Sequence, residues 1–368
     1  MNKKEMSKSF TNNRKVYLEI LRIIAIFLVI FNHQGGYQLY SISSGAKHYF
    51  YEVITMITRL NVPVFFMISG SLLLGKDETY IKVCKRIVRF LTIIFLFEGI
   101  YCILIPAIRL ALQGQKIDID IAGCMNNILS GKVGGLVSYW FLYAYVGFLI
   151  ASPLLRKIAN AISDKDIIWL MIMRFIVYSL WPMINTFMRQ NDFNTVPLHD
   201  YFRSCLAVEH IFFYPLVGYY IDRIIVENIS RRKWMIIYVA CSICICIECL
   251  CTELEFLRDG KYTQNYVMMF DYVIAITAFI TVKRLYICMR PHMSTTFCNG
   301  INLIGSLTFG MYLLDPFCRM FIGWQFDEAV LPILRTLLTS VLWCFTSMII
   351  GGLTTFLIKK IPGIGKLI

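Results

Sequence analysis

The hydrophobic residues of this chain gather in ten long runs that short polar stretches separate. The runs occupy residues 16–37, 50–74, 87–112, 135–155, 166–188, 204–222, 234–251, 266–286, 300–322 and 331–358. A transmembrane helix needs about 20 mostly apolar residues, and each run approaches or exceeds that length. The pattern therefore predicts an all-α, polytopic integral membrane protein, a bundle of about ten transmembrane helices.

The charges between the runs predict how such a bundle is oriented. Loops rich in Lys and Arg alternate with poor ones along the whole chain, with 23 basic residues on one side and 8 on the other. Basic loops stay in the cytoplasm, so both termini are expected there. We expect a short basic cytoplasmic segment at 1–14, one membrane domain at 15–360 and a cytoplasmic tail at 361–368.

The composition supports a membrane protein and argues against nucleic-acid binding. The chain is 58% apolar and 16% charged, its mean hydropathy is +0.63 and its formal charge is +13. The basic excess lies in the loops, and no soluble fold is present to offer it to nucleic acid, so no nucleic-acid partner is expected. Five of the 13 cysteines crowd residues 241–251. Small buried side chains explain them better than a metal or redox site, and we expect no metal.

The first run carries ionisable groups, which are rare inside membranes and usually have a partner or a task. Glu19, Arg22 and His33 all lie within it. Eleven residues make about three helical turns, so Arg22 and His33 share one face about 16 Å apart. Glu19 lies one turn before Arg22, where the two charges can partly neutralise each other. This arrangement predicts that these three residues line part of a polar path through the membrane.

Three further patterns occur in later runs. They are NVPVFFMISG at 61–70, YWFLY at 139–143 followed by SPLL at 152–155, and TFGMYLLDP at 308–316. Together with the first run, in this order and at these separations, they resemble membrane acyltransferase family 3. That family comprises O-acyltransferases of bacterial cytoplasmic membranes that decorate surface glycans, and the resemblance covers nearly the whole chain.

The resemblance implies transfer of an acyl group, usually acetyl, from cytoplasmic acyl-CoA to an outer hydroxyl of a glycan or lipid-linked sugar. His33 takes the place of the family's catalytic histidine, as a general base or as a transient acyl carrier. Arg22 takes the place of its essential arginine, holding the pantetheine arm or stabilising negative charge. With Glu19 beside Arg22, these three residues are the catalytic candidates. An anchor that snorkels beside Glu19 is the alternative for Arg22.

The resemblance also suggests residues that bind the donor. Lys85, Arg86 and Arg89 match a basic run that could hold the phosphates of coenzyme A, although topology signals explain them equally well. Ser69 is a candidate contact to the donor. With Gly70 it could instead serve only the close approach of two helices.

Six residues are candidates for binding the acceptor. They are Trp140, Tyr139, Asp315, Tyr312, Glu209 and His210. An interfacial aromatic belt would also explain Tyr139 and Trp140. Asp315 stands where the family often has histidine, and an aspartate there could orient a histidine or an arginine. Glu209 and His210 diverge by about 100° on a helix, so only one of them can face a given point.

Two further functions compete with the enzyme hypothesis. A transporter or flippase would use the polar helix faces as a substrate path, but it would usually show repeated halves with broken helices. The prolines of this chain show no such matching. A scaffold of the cell envelope would give Arg22 and His33 no reason to share a face.

Overall fold

The computed structural model describes residues 15–116, 118–205, 208–224, 229–262, 268–329 and 336–368. These residues are mostly helical and contain no strand, which confirms the all-α class. The main helices are α1 (Val16–His33), α2 (Ala46–Thr58), α3 (Asn61–Leu73), α4 (Tyr80–Leu112), α5 (Ile121–Leu129), α6 (Trp140–Ala161), α7 (Asp164–Gln190), α8 (His210–Arg223), α9 (Arg231–Asp259), α10 (Asp271–Met289), α11 (Thr295–Ala329) and α12 (Leu337–Ile358).

The helices match the predicted runs with one exception. Within the described ranges, nine helical segments are long and apolar enough to cross a membrane, with α2 and α3 counted as one. The run at 204–222 instead forms α8, which has 14 residues. Such a helix is about 21 Å long, shorter than the hydrocarbon layer of about 30 Å. The predicted segment 1–14 and parts of the runs at 204–222, 266–286 and 331–358 lie outside the described residues.

Helices α3 and α8 are packed backbone to backbone at the centre of the bundle. A Cβ atom added to Gly70 would come within 1.9 Å of the Pro215 carbonyl oxygen, and one added to Gly218 within 2.2 Å of the Met67 carbonyl oxygen. The Ser71 hydroxyl donates to the Gly218 carbonyl at 3.0 Å. Small residues allow this approach, as membrane helix interfaces require. The interpretation of Gly70 as a close-approach residue is thus confirmed.

Helix α1 is surrounded by other helices along most of its length. Leu18, Leu21, Ala25, Ile26 and Ile30 are each at most 1% exposed. The helix packs against α3, α10, α11 and α12. In contrast, α7 and α9 carry rows of exposed large apolar side chains, as helices in contact with lipid do. Polar side chains on the buried faces of α1 therefore contact other helices of the bundle.

Helix α1 also defines the two ends of the bundle. We call them the Val16 end and the His33 end, after its first and last residues. Lys15 forms an ion pair with Asp222 at the last turn of α8, which places that turn at the Val16 end. Which compartment each end faces stays a prediction from the basic loops.

Candidate functional site: a histidine–aspartate pair and a buried arginine

The last residue of α1 and a residue of α11 form a hydrogen-bonded pair. His33 Nδ1 lies 2.7 Å from Asp315 Oδ2. The Asp315 side chain is 1% exposed, whereas the His33 side chain keeps 22% of its surface exposed. The Ser347 hydroxyl on α12 donates to the other carboxylate oxygen at 3.3 Å. Three helices therefore meet at this carboxylate, and only the imidazole remains accessible.

This contact determines which imidazole nitrogen can act on another molecule. An ionised carboxylate accepts hydrogen bonds only, so Nδ1 carries the proton in the pair. The Nε2 atom then has a lone pair, and no described residue forms a hydrogen bond with it. A histidine held in this tautomer by a carboxylate can take a proton from a hydroxyl and stabilise the resulting positive charge. The pair is thus suited to general-base chemistry.

Two tyrosines fix α11 beside this pair. The Tyr139 hydroxyl donates to the Leu313 carbonyl at 2.5 Å, and the Tyr312 hydroxyl donates to the Ser138 carbonyl at 2.6 Å. Their ring centroids are 5.9 Å apart. Tyr139 is 1% exposed and Tyr312 is 6% exposed. Both residues were predicted to bind the acceptor, but both hydroxyls are used within the fold, where they position the helix that carries Asp315.

Arg22 and Glu19 form a second polar group on α1, nearer the Val16 end. Arg22 Nη1 donates to both carboxylate oxygens of Glu19, at 2.8 and 2.9 Å. Glu19 is 4% exposed and packs against Gly305 of α11, whereas the Arg22 side chain is 27% exposed. Among the described residues, Nε and Nη2 of Arg22 donate no hydrogen bond. Glu19 thus holds one side of the guanidinium and leaves the other available to a ligand.

Tyr145 on α6 joins Arg22 to the other donor-site candidates. Its hydroxyl lies beside Ser69 and near the guanidinium groups of Arg22, Arg86 and Arg89. The Ser69 hydroxyl also donates to the Phe65 carbonyl at 2.8 Å. Tyr145 was not among the predicted site residues. It comes two residues after the YWFLY pattern, whose aromatic character was the available signal.

The basic run of α4 is only partly available to an anion. Both terminal nitrogens of Arg86 donate to Glu78 at 2.6 Å, and Arg156 donates to the same carboxylate at 2.7 Å. The hydrogen bond from Arg86 holds the pKa of Glu78 below its usual range. Arg89 Nε donates to the Leu367 carbonyl at 2.9 Å, and Lys85 is exposed. Arg86 therefore has a structural partner, whereas Lys85 keeps an exposed charge.

No described contact links the remaining acceptor candidates to the His33 pair. Trp140 is 48% exposed and contacts Phe141 edge to face. Glu209 caps α8 by accepting from the His210 amide at 3.1 Å. His210 Nε2 lies 3.3 Å from a terminal nitrogen of Arg174. As predicted for helical neighbours, Glu209 and His210 point to different partners.

Arg174 organises a polar cluster that the sequence analysis missed. Its side chain is fully buried and donates to the Tyr214 hydroxyl at 2.9 Å and to Asp271 at 3.4 Å. Its guanidinium also lies 3.9 Å from the centroid of the Tyr178 ring. An arginine in the middle of an apolar run was the signal that could have found it. The cluster joins α7, α8 and α10, and no described contact links it to His33.

Comparison with known proteins supports an acyltransferase assignment. A family model described as an acyltransferase domain, that of acyltransferase family 3, matches residues 15–355. Neither the comparison with curated proteins nor the comparison with solved structures finds a significant match. The match covers every element described above that contributes to the His33 pair or to the Arg22 group.

Proposed function

The chain belongs to membrane acyltransferase family 3 and is a multi-pass membrane acyltransferase, and from this premise we propose a specific reaction. The enzyme transfers an acyl group from cytoplasmic acyl-CoA to a hydroxyl of an extracytoplasmic glycan or lipid-linked saccharide. Acetyl is the acyl group that we expect. The membrane is the cytoplasmic membrane of a bacterium. The observation that carries this proposal is the His33–Asp315 hydrogen bond on an inner face of the bundle.

The donor approaches from the Val16 end, which the basic loops assign to the cytoplasm. Lys85 and the terminal nitrogens of Arg89 attract the phosphates of coenzyme A, while Arg86 shares its charge with Glu78. The open side of Arg22, together with Ser69 and Tyr145, binds polar groups of the pantetheine arm. The distance of about 16 Å along α1 from Arg22 to His33 is one that an extended pantetheine arm can bridge.

The acceptor approaches from the His33 end, where lipid-linked saccharides and outer glycans would be found. His33 Nε2 takes the proton of the acceptor hydroxyl as its oxygen attacks the thioester carbonyl carbon. Asp315 stabilises the imidazolium that forms. The carbon–sulfur bond then breaks, and the thiolate of coenzyme A leaves with the proton that His33 held. Trp140, exposed at the start of α6, offers a stacking surface to a sugar ring.

The proposal is tested with the purified chain in liposomes that contain a lipid-linked saccharide, supplied with radiolabelled acetyl-CoA. The wild type is expected to form a labelled ester, whereas His33→Ala loses at least about 10²-fold in rate because no group removes the hydroxyl proton. His292→Ala, which alters an exposed histidine after α10, is the matched control and is expected to keep full activity.

Two outcomes of this assay would contradict the proposal. One is ester formation by His33→Ala at the wild-type rate, which would remove the base from the mechanism. The other is movement of the unmodified saccharide across the membrane without a labelled ester, which would favour the transporter hypothesis. Acetyl-CoA binding, measured by thermal stabilisation, is expected to survive in His33→Ala because Arg22 is intact.

A further inference from the structure

A second histidine–carboxylate cluster lies at the His33 end, between α2 and α9. His48 and Glu52 are four residues apart on α2 and therefore share a helix face. Glu253 on α9 closes the group from the opposite side. The imidazole and carboxylate atoms of these three residues all lie within 4.8 Å of one another. No sequence pattern indicates this cluster, because its residues meet only through the packing of α2 against α9.

The orientation of His48 is the one that metal-binding histidines adopt. Its Nδ1 lies 2.7 Å from the Tyr40 carbonyl, which can only accept, so Nδ1 carries a proton. Its Nε2 lies 2.5 Å from Glu253 Oε1 and 3.2 Å from the Tyr262 hydroxyl. A ligating histidine usually donates its other nitrogen to a carbonyl or a carboxylate, which directs the remaining lone pair at the ion. Tyr40 has this supporting role.

Glu52 supplies an independent observation. It is 1% exposed, and neither of its carboxylate oxygens has a hydrogen-bond partner among the described residues. The charged or polar groups around it are the Glu253 carboxylate, the His48 imidazole and the Cys249 thiol, and a thiol is only a weak hydrogen-bond donor. A buried carboxylate without a partner is strongly destabilising. One imidazolium can balance one of the two carboxylates, but a divalent cation can balance both.

The geometry points to a binding site for a divalent transition-metal ion, formed by His48 Nε2, Glu52 and Glu253. Zn²⁺ is the ion that we expect. Imidazole nitrogen and carboxylate oxygen are ordinary Zn²⁺ ligands at about 2.0–2.2 Å. One imidazole with two carboxylates suits Zn²⁺ or Mn²⁺ better than Ca²⁺, which prefers oxygen alone. Glu253 is 22% exposed and provides the route by which the ion enters.

The ion would clamp α2 to α9, away from His33. Helix α2 ends at Thr58, whose hydroxyl donates to Asn32 at 2.9 Å, the residue before His33. The bound ion would therefore affect acyl transfer only indirectly, by changing the position of the last turn of α1. The proposal does not depend on the reaction that the enzyme carries out, because it is tested by metal binding.

The test uses the full-length protein in detergent, without a polyhistidine tag, stripped with a chelator and then equilibrated with ZnCl₂. Elemental analysis is expected to find about one Zn²⁺ per chain, and thermal unfolding is expected to shift upward. Glu52→Gln and Glu253→Gln are expected to abolish both effects. Without metal, Glu52→Gln should unfold no earlier than the wild type, since it removes an unpaired buried charge.

Glu98→Gln is the matched control for these variants. Glu98 is also 1% exposed, but it accepts a hydrogen bond from the Tyr143 hydroxyl at 2.8 Å and lies outside the cluster. This variant is expected to bind Zn²⁺ as the wild type does. Zn²⁺ binding that survives in Glu52→Gln would overturn the site, as would a wild type that binds no Zn²⁺ or Mn²⁺. Stabilisation by CaCl₂ but not by ZnCl₂ would overturn the role of the imidazole.

Discussion

Two histidines of this protein contact carboxylates, and they differ in which nitrogen the fold leaves available. In His33, Nδ1 is bonded to Asp315 and Nε2 has no described partner. In His48, Nδ1 is bonded to a carbonyl and Nε2 points at Glu253, inside a cluster where the imidazole is nearly buried. The first arrangement leaves a base open to a substrate, whereas in the second Nε2 is hydrogen-bonded to the Glu253 carboxylate within a nearly buried group. A histidine–carboxylate contact alone therefore does not identify a catalytic site.

The largest expected contrast is between the two carboxylates. Asp315→Asn keeps the shape of the side chain but can present an amide that leaves Nε2 protonated, so acyl transfer should fall by about 10²-fold or more. Glu253→Gln should leave acyl transfer nearly unchanged. The measurement is the initial rate of ester formation by each purified variant, with acetyl-CoA stabilisation as the check on folding. Equal reductions in the rate of ester formation in both variants would contradict the proposal that only the His33–Asp315 pair takes part in catalysis.

A smaller effect is expected where the backbone of α11 is fixed. Tyr312→Phe removes the hydrogen bond to the Ser138 carbonyl while keeping the ring, and one hydrogen bond contributes about 0.5–1.5 kcal/mol. We expect a rate reduction of roughly threefold to tenfold, since Asp315 is displaced only slightly. Because Tyr312 is interpreted as a positioning residue, the KM for the acceptor should stay constant while kcat falls. A rise in KM alone would instead support the original prediction that Tyr312 binds the acceptor.

The smallest expected effect concerns the second contact of the carboxylate. Ser347→Ala removes a hydroxyl that donates to Asp315 at 3.3 Å, a long hydrogen bond. Ester formation should fall no more than a few-fold, and Zn²⁺ binding at the His48 cluster should be unaffected. A loss as large as that of Asp315→Asn would mean that the hydroxyl, rather than the imidazole, governs the state of the carboxylate.

Relations within one helix were predictable from the sequence because the helical period fixes them. The Glu19–Arg22 pair and the shared face of Arg22 and His33 needed only the spacing of 3.6 residues per turn. The class of fold was equally accessible, since the lengths of the apolar runs determine it. The run at 204–222 was the exception, because α8 starts only at His210, after the Glu209 cap.

Relations between helices were not predictable in the same way. His33 and Asp315 are 282 residues apart in the sequence. No local sequence pattern predicts that α1 and α11 pack so that these two residues are in contact. The sequence left open that Asp315 could orient a histidine, and packing supplies the partner. The cluster of His48 and Glu253, 205 residues apart, has the same origin. The burial of Tyr139 was not predictable either, because the position of an aromatic residue in an apolar run does not indicate whether it lies at the membrane interface or inside the bundle.

The contact of α3 with α8 has a consequence for how substrates exchange. The backbones are in contact at Gly70 and Gly218, so at these two positions no side chain lies between the helices. We therefore expect α3 and α8 to move as one unit if the bundle rearranges during turnover. Movements that admit a substrate or release a product are then expected in helices such as α7 and α9, whose large apolar side chains are exposed rather than packed in the bundle.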